Sequence, residues 1–197
     1  MGFRYEIRLS GSGGQGLILI GIILAEAMGL YEGLHVVQTQ SYGPEARGGS
    51  SKSEVVVSDE EIDYPKPQKV DLLLAMNQAS CDLYSGDLKE DGMLVVDTTF
   101  VRQVPNPRAV RVPMTKLAKE VLGRDIVANI VALGVLSEVT DLVKVESLEA
   151  ALLRRVPKGT EDINRKALHL GREEARKALR DLGGTEIVDY TVDETAV

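Results

Sequence analysis

The chain has 197 residues, 44% hydrophobic and 27% charged, with 23 Lys and Arg against 30 Asp and Glu, a net charge of −7 at neutral pH. Such a chain is long enough to bury its own core as one domain, residues 1–197, and its acidity excludes a general attraction to nucleic acid or to an anionic membrane. Aromatic residues are only 4%, with no tryptophan, which argues against base-stacking surfaces, and the single cysteine, Cys81, excludes an internal disulfide and an iron–sulfur cluster or structural zinc built by this chain alone.

Arg4, Glu6 and Arg8 interrupt the first apolar run, so no signal-peptide core is present there and a cytoplasmic location is expected. Tyr5, Ile7 and Leu9 alternate with Glu6, Arg8 and Ser10, which predicts a first strand ending at Ser10. A glycine-rich turn, Gly11 to Gly16, follows at once. Residues 16–29 are apolar on nearly every side, the pattern of a helix buried by its own sheet and by a further surface, a partner chain being one candidate. The apolar stretch is far shorter than the ~20 residues that span a bilayer. Residues 35–40 read as a second strand, residues 41–49 as a breaker-rich structured loop, and residues 52–58 as a third strand.

Pro65 and Pro67 mark an extended connection, after which residues 71–76 form a continuous apolar run of the central-strand type. Asn77 can cap the helix that follows. Residues 93–97 are a second such run, preceded by the turn Glu90-Asp91-Gly92 and followed by Thr98 and Thr99. Helices are predicted at 115–122 and 127–140, then from an N-cap at Ser147 to Arg155, with Glu149 in its first turn. Pro157 breaks the chain, and Thr160 opens a long amphipathic helix with Ile163, Ala167, Leu168, Gly171, Ala175 and Leu179 on one stripe. Residues 186–190 read as a last edge strand. Strands alternating with helices predict an α/β fold, Rossmann-like and doubly wound, with a mainly parallel sheet and helices on both faces.

Gly11-Ser12-Gly13-Gly14-Gln15-Gly16 matches G-x-G-x-x-G between a strand and a helix, the context in which backbone N–H groups and the helix dipole can hold a phosphate. The alternative is that the glycines only make a tight turn. A nicotinamide dinucleotide would need an acid after the second strand, roughly 20 residues on. Gln38-Thr39-Gln40 stands there instead, which disfavours NAD and favours an isolated phosphate or pyrophosphate. In the second loop Arg47 lies between small residues and could reach an anion, or could simply pair with Glu45 on the surface. Asn129, in an apolar helix, could bond a ligand or a neighbouring loop, or be a satisfied structural residue, and Asn164 has the same ambiguity. His35 and His169 lack a catalytic neighbour, and Glu60, Glu61 and Asp63 read as a solvated loop. No P-loop, nucleophile elbow, zinc motif or Gly-Asp-Gly thiamine diphosphate signature occurs, so a complete active site is missing.

Gly13-Gly14-Gln15-Gly16 together with Ser41-Tyr42-Gly43-Pro44-Glu45-Ala46-Arg47-Gly48-Gly49 resembles the gamma subunit of 2-oxoacid:ferredoxin oxidoreductases, the second motif being the specific one. The resemblance continues through residues 53–58, 71–77 and 129–134 and covers roughly residues 4–180; the uninterrupted Tyr-Gly-Pro-Glu-Ala-Arg-Gly-Gly is most like the 2-oxoglutarate enzymes. It implies a complex that oxidatively decarboxylates a 2-oxoacid, with coenzyme A as acyl acceptor and ferredoxin as electron acceptor. Thiamine diphosphate, magnesium and 4Fe–4S clusters are then expected on alpha-, beta- and delta-type partner subunits, with no cofactor held by this chain alone and no activity in isolation. The gamma-type domain would close the site and help bind coenzyme A. Its expected contacts are Gly11, Gly13, Gly14, Gln15, Gly16, Tyr42, Glu45, Arg47, Gly48 and Asn129. Branched-chain or aryl 2-oxoacids such as indolepyruvate, a stand-alone phosphate- or nucleotide-binding regulatory domain, and a purely structural subunit are the competing readings. Residues after Leu182 match nothing in the resemblance.

Overall fold

A computed structural model describes residues 2–42, 50–106 and 108–183. Six strands and six helices follow in the order β1 (Arg4–Ser12), α1 (Leu17–Glu26, prolonged by a π turn, Ala27–Tyr31), β2 (His35–Tyr42), β3 (Ser50–Ser58), β4 (Val70–Ala75), α2 (Gln78–Tyr84), β5 (Leu88–Asp97), β6 (Val110–Val112), α3 (Met114–Leu122), α4 (Ala128–Val139), α5 (Val145–Arg155) and α6 (Glu161–Gly183). The sheet order is β2-β3-β1-β4-β5-β6. β1, β4, β5 and β6 run parallel, whereas β3 is antiparallel to both β1 and β2. The expected mainly parallel α/β sheet is present, and its antiparallel flank has a plain cause. Only seven residues join β2 to β3, too few for a parallel crossover, which takes a dozen or more.

The larger core lies on one face, where Ile7, Leu9, Val55, Val57, Leu72 and Leu74 meet α1, α4 and α6. On the other face Cys81 of α2 packs with Leu73, Ala75, Leu94 and Val96. Helices therefore cover both faces. On that second face β1 and β3 carry charge: Arg8 is 4% exposed, bonds Glu54 at 2.7 Å and Asp87, and lies 4.9 Å from the Tyr84 ring centroid. Ala167, Leu168, Gly171 and Ala175 of the α6 stripe are buried, Ile163 and Leu179 half-buried at its ends, and its glycine lets two helices touch. A Cβ on Gly171 would stand 2.0 Å from the Val131 carbonyl oxygen, and one on Gly134 would stand 2.1 Å from that of Leu168. No helix among the described residues is long and apolar enough to cross a membrane.

Several boundaries move. β1 runs two residues past Ser10, because Gly11 and Ser12 pair with Ser51 and Ser50. Asn77 caps α2 as expected, its carboxamide oxygen accepting from Ser80 N at 2.8 Å. The turn at Glu90-Asp91-Gly92 is absorbed as an irregularity of β5, which starts at Leu88 opposite Val70 and resumes register at Met93 opposite Leu72. Ser147 is not the N-cap of α5, which begins at Val145. Glu32, beyond α1, accepts from Lys144 N at 3.0 Å and also from the Ser147 side chain, so a distant carboxylate caps the helix. These bonds hold the Glu32 carboxyl below its ordinary range. The strand expected at 186–190 lies outside the described residues.

Candidate functional site

The turn stands at the carboxyl ends of β1, β4 and β5, where open α/β sheets place their ligands. Gln15 N–H donates to the Ser12 carbonyl at 3.2 Å, and the Gln15 side chain accepts from Ser12 N at 2.6 Å and donates to the Met76 carbonyl at 3.4 Å. Gln15 thus ties the turn to the end of β4. Gly13 and Gly14 are exposed, and Gly11 is buried in β1. Gly16 occupies the N-cap of α1 with φ 72° and offers no side-chain acceptor, so among the described residues no side chain caps the first-turn N–H groups of α1, which a ligand could use.

Asn129 meets this turn from α4. Its Nδ2 donates to the Gly16 carbonyl at 3.4 Å, its Oδ1 accepts from Ile130 N at 3.0 Å, and it is buried. Of the roles open to it, bonding a neighbouring loop is the one seen. A Cβ on Gly16 would lie 2.3 Å from Asn129 Nδ2. Asn164 bonds Thr160 through both the carbonyl and the hydroxyl and closes the start of α6.

Between these elements lies a cleft of about 370 Å³. Its floor is Gly14, Gln15, Gly16 and Asn129; its walls are Leu19, Ile126, Val127, Ile130, Val156 and Ile163; Thr160 and Asn164 close one side. Arg124 also lines it, exposed and with no acid paired to its guanidinium among the described residues. A second hollow of about 390 Å³ shares Gly14, Gln15, Ile126 and Asn129 and reaches Met76, Phe100 and Thr115. Beside it Asp97, fully buried, accepts from Thr99 N, Thr115 N and the Thr115 hydroxyl, and so joins β5 to α3. A larger hollow of about 630 Å³ opens at the other end of the strands around Arg4, Ser58 and Tyr64. It has neither glycine turn nor helix N-terminus, and its Arg4 and Lys89 are paired with Glu6 and Asp71.

Of the residues expected at the site, the structure brings Gly14, Gln15, Gly16 and Asn129 to one cleft, with Gly13 beside them. Tyr42 ends β2 at the same sheet edge, opposite Ser51, which in turn faces Gly11, and it is 68% exposed. Glu45, Arg47 and Gly48 lie outside the described residues. The residues flanking that loop, Tyr42 and Ser50, stand at the turn's edge, Ser50 directly opposite Ser12. His35 is exposed at the start of β2, and His169, on α6, lies 3.7 Å from Glu149 of α5. Arg124 and Asp97 escaped sequence reasoning: an exposed arginine after a helix carries no periodic signal, and an aspartate ending a strand is one of many.

The chemistry available is binding. The turn offers N–H donors, Arg124 a guanidinium unpaired among the described residues, and the walls an apolar channel, an arrangement suited to an anionic ligand with an extended, less polar arm. Among the described residues no group of three or more His, Cys, Asp or Glu could hold a metal ion.

The sequence matches the pyruvate ferredoxin/flavodoxin oxidoreductase family over residues 6–174. It is 51% identical to the 2-oxoglutarate synthase subunit KorC of Methanocaldococcus jannaschii over 178 residues, 88% of this chain and 95% of that one. The crystal structure of a keto/oxoacid ferredoxin oxidoreductase gamma subunit from Geobacter sulfurreducens PCA is similar with a TM-score of 0.82 and 50% identity, over 89% of this chain and 98% of that one. A 2-oxoglutarate:ferredoxin oxidoreductase from Magnetococcus marinus, solved with 2-oxoglutarate, coenzyme A and succinyl-CoA bound, is similar with a TM-score of 0.80 and 26% identity, over 88% of this chain but 31% of that one.

Proposed function

The chain belongs to the pyruvate ferredoxin/flavodoxin oxidoreductase family, and from that premise we propose that it is the gamma subunit of a 2-oxoglutarate:ferredoxin oxidoreductase. The complex converts 2-oxoglutarate and coenzyme A to succinyl-CoA and carbon dioxide, passing the electrons released to ferredoxin. The observation that carries the choice of 2-oxoglutarate is the 51% identity to the M. jannaschii subunit along 95% of its length. Among 2-oxoacids it favours this one over branched-chain or aryl substrates, and family membership sets aside a stand-alone regulatory domain.

Carbon–carbon cleavage and electron transfer fall to alpha-, beta- and delta-type partners carrying thiamine diphosphate, magnesium and 4Fe–4S clusters, in the cytoplasm. This chain's residues do not fit an iron–sulfur cluster: its one cysteine is buried against β4 and β5, and the chain has no second thiolate. They suit coenzyme A. In this reading the turn N–H groups and Arg124 hold its phosphates, Arg47 of the loop that enters β3 at Ser50, opposite Ser12, adds a second guanidinium, and the walls formed by Leu19, Ile130 and Ile163 exclude water from the pantetheine arm. In the reconstituted complex, Arg124→Ala and Arg47→Ala should each raise KM for coenzyme A by about 10- to 100-fold, the worth of a charge-assisted hydrogen bond, with kcat little changed. Unchanged KM values in both variants would overturn the assignment.

A further inference from the structure

We propose that the outward face of α1, formed by Ile18, Ile22 and Ala25 with Leu30 and Tyr31 at its far end, is the docking surface for the alpha-type subunit, the chain equivalent to the part of the M. marinus chain that lies outside the match. The inference rests on the gamma-subunit reading. Leu17, Ile20, Ile23 and Leu24 fill the core at 1% exposure or less, so this chain's own fold already uses one full side of the helix. Ile18 and Ile22, at i and i+4 on another side, stay partly exposed, as does Ala25 at i+7, which also touches the core at its edge, and no charged residue occurs between Leu17 and Ala25. A helix face left to water is normally polar. Leu30 and Tyr31 extend the apolar surface at 64% and 41% exposure. Apolar side chains left open to water along one helix are a usual element of contacts with another macromolecule.

The comparisons point to the occupant. In the M. jannaschii subunit nearly the whole chain is matched, whereas in the M. marinus enzyme the match is 31% of one long chain. The same fold is thus covalently tethered in one relative and is a subunit of its own in another. Contacts that a linker keeps together in the first must be carried by surface affinity in the second. The acids at the rim do not oppose an apolar partner, because Glu26 is bonded by Arg155 and Glu32 by Lys144.

The test uses the whole complex, with a photoreactive benzoylphenylalanine in place of Ile22. Irradiation should cross-link this chain to the alpha-type subunit. A cross-link between two copies of this chain, to a different subunit or to lipid, or no cross-link in an intact complex, would overturn the proposal. Independently, Ile18→Asp with Ile22→Asp should weaken retention of the alpha-type subunit by about tenfold or more, while Val121→Asp, an exposed site on α3, should leave it unchanged. If the unaltered chain does not purify with a thiamine-diphosphate subunit at all, the gamma-subunit reading itself fails. If it does and the cross-link goes elsewhere, only the docking surface is wrong.

Discussion

Replacing Gly16 by alanine should damage the protein more than the same change two residues earlier. At φ 72° an L-residue costs about 1–2 kcal/mol more than glycine. The new methyl would also stand 2.3 Å from Asn129 Nδ2 and 3.0 Å from its Cγ, which adds about 1–3 kcal/mol of overpacking. Gly14, at φ 91° with nothing within 4 Å of its Cβ position, carries only the conformational part. Gly16→Ala should therefore cost about 3 kcal/mol, a Tm lower by roughly 6–12 °C, and Gly14→Ala about half of that. Asn129→Ala alone loses a 3.4 Å bond to Gly16 and a bond to Ile130 N, about 1–2 kcal/mol. Combined with Gly16→Ala it also removes the obstruction, so the double variant should be about 1–3 kcal/mol more stable than the sum of the single changes. Urea unfolding of the four proteins measures this. Equal effects at Gly14 and Gly16, or strict additivity with Asn129, would refute the steric reasoning.

Two further outcomes follow from buried polar groups. Arg8→Ala should destabilise by about 3 kcal/mol, the lower end for a broken buried pair, because Lys52 still reaches Glu54 at 3.2 Å; Arg8→Met with Glu54→Leu should recover much of it, as denaturant unfolding would show. Burial, aided by Asp71, Asp91 and Asp141, pushes the Tyr5 phenol from its ordinary 10.0 up to about 12. The fold then holds a proton that the unfolded chain releases, so this contribution to stability is complete below pH 10 and is lost as pH rises towards 12. Absorbance titration should show a late tyrosine step, and Tyr5→Phe should remove it; a high-pH titration curve unchanged by Tyr5→Phe would contradict it.

Features governed by local spacing were legible in the sequence. The period-2 pattern of β1, the apolar runs of β4 and β5, the Asn77 cap and the glycine turn all depend on neighbours within a few residues. What escaped was set by distant partners. Glu32 caps α5 from 112 residues away, and Asn129 meets Gly16 across 113. β6 has three residues, too short for a period to register, and takes its place from pairing with β5. The antiparallel flank follows from a loop length that could have been counted. Of the cleft's lining, Gly14, Gln15, Gly16 and Asn129 stood out in the sequence. Arg124 did not, because only the folded chain brings the end of α3 beside the start of α1.

The gamma-subunit assignment is tested most directly by steady-state ferredoxin reduction with the purified native complex, offered 2-oxoglutarate, pyruvate, 2-oxoisovalerate and indolepyruvate in turn, with and without coenzyme A. The expected result is the highest kcat/KM for 2-oxoglutarate, with turnover dependent on coenzyme A and succinyl-CoA as product. A higher kcat/KM for any other acid, or sustained turnover without coenzyme A, would contradict it.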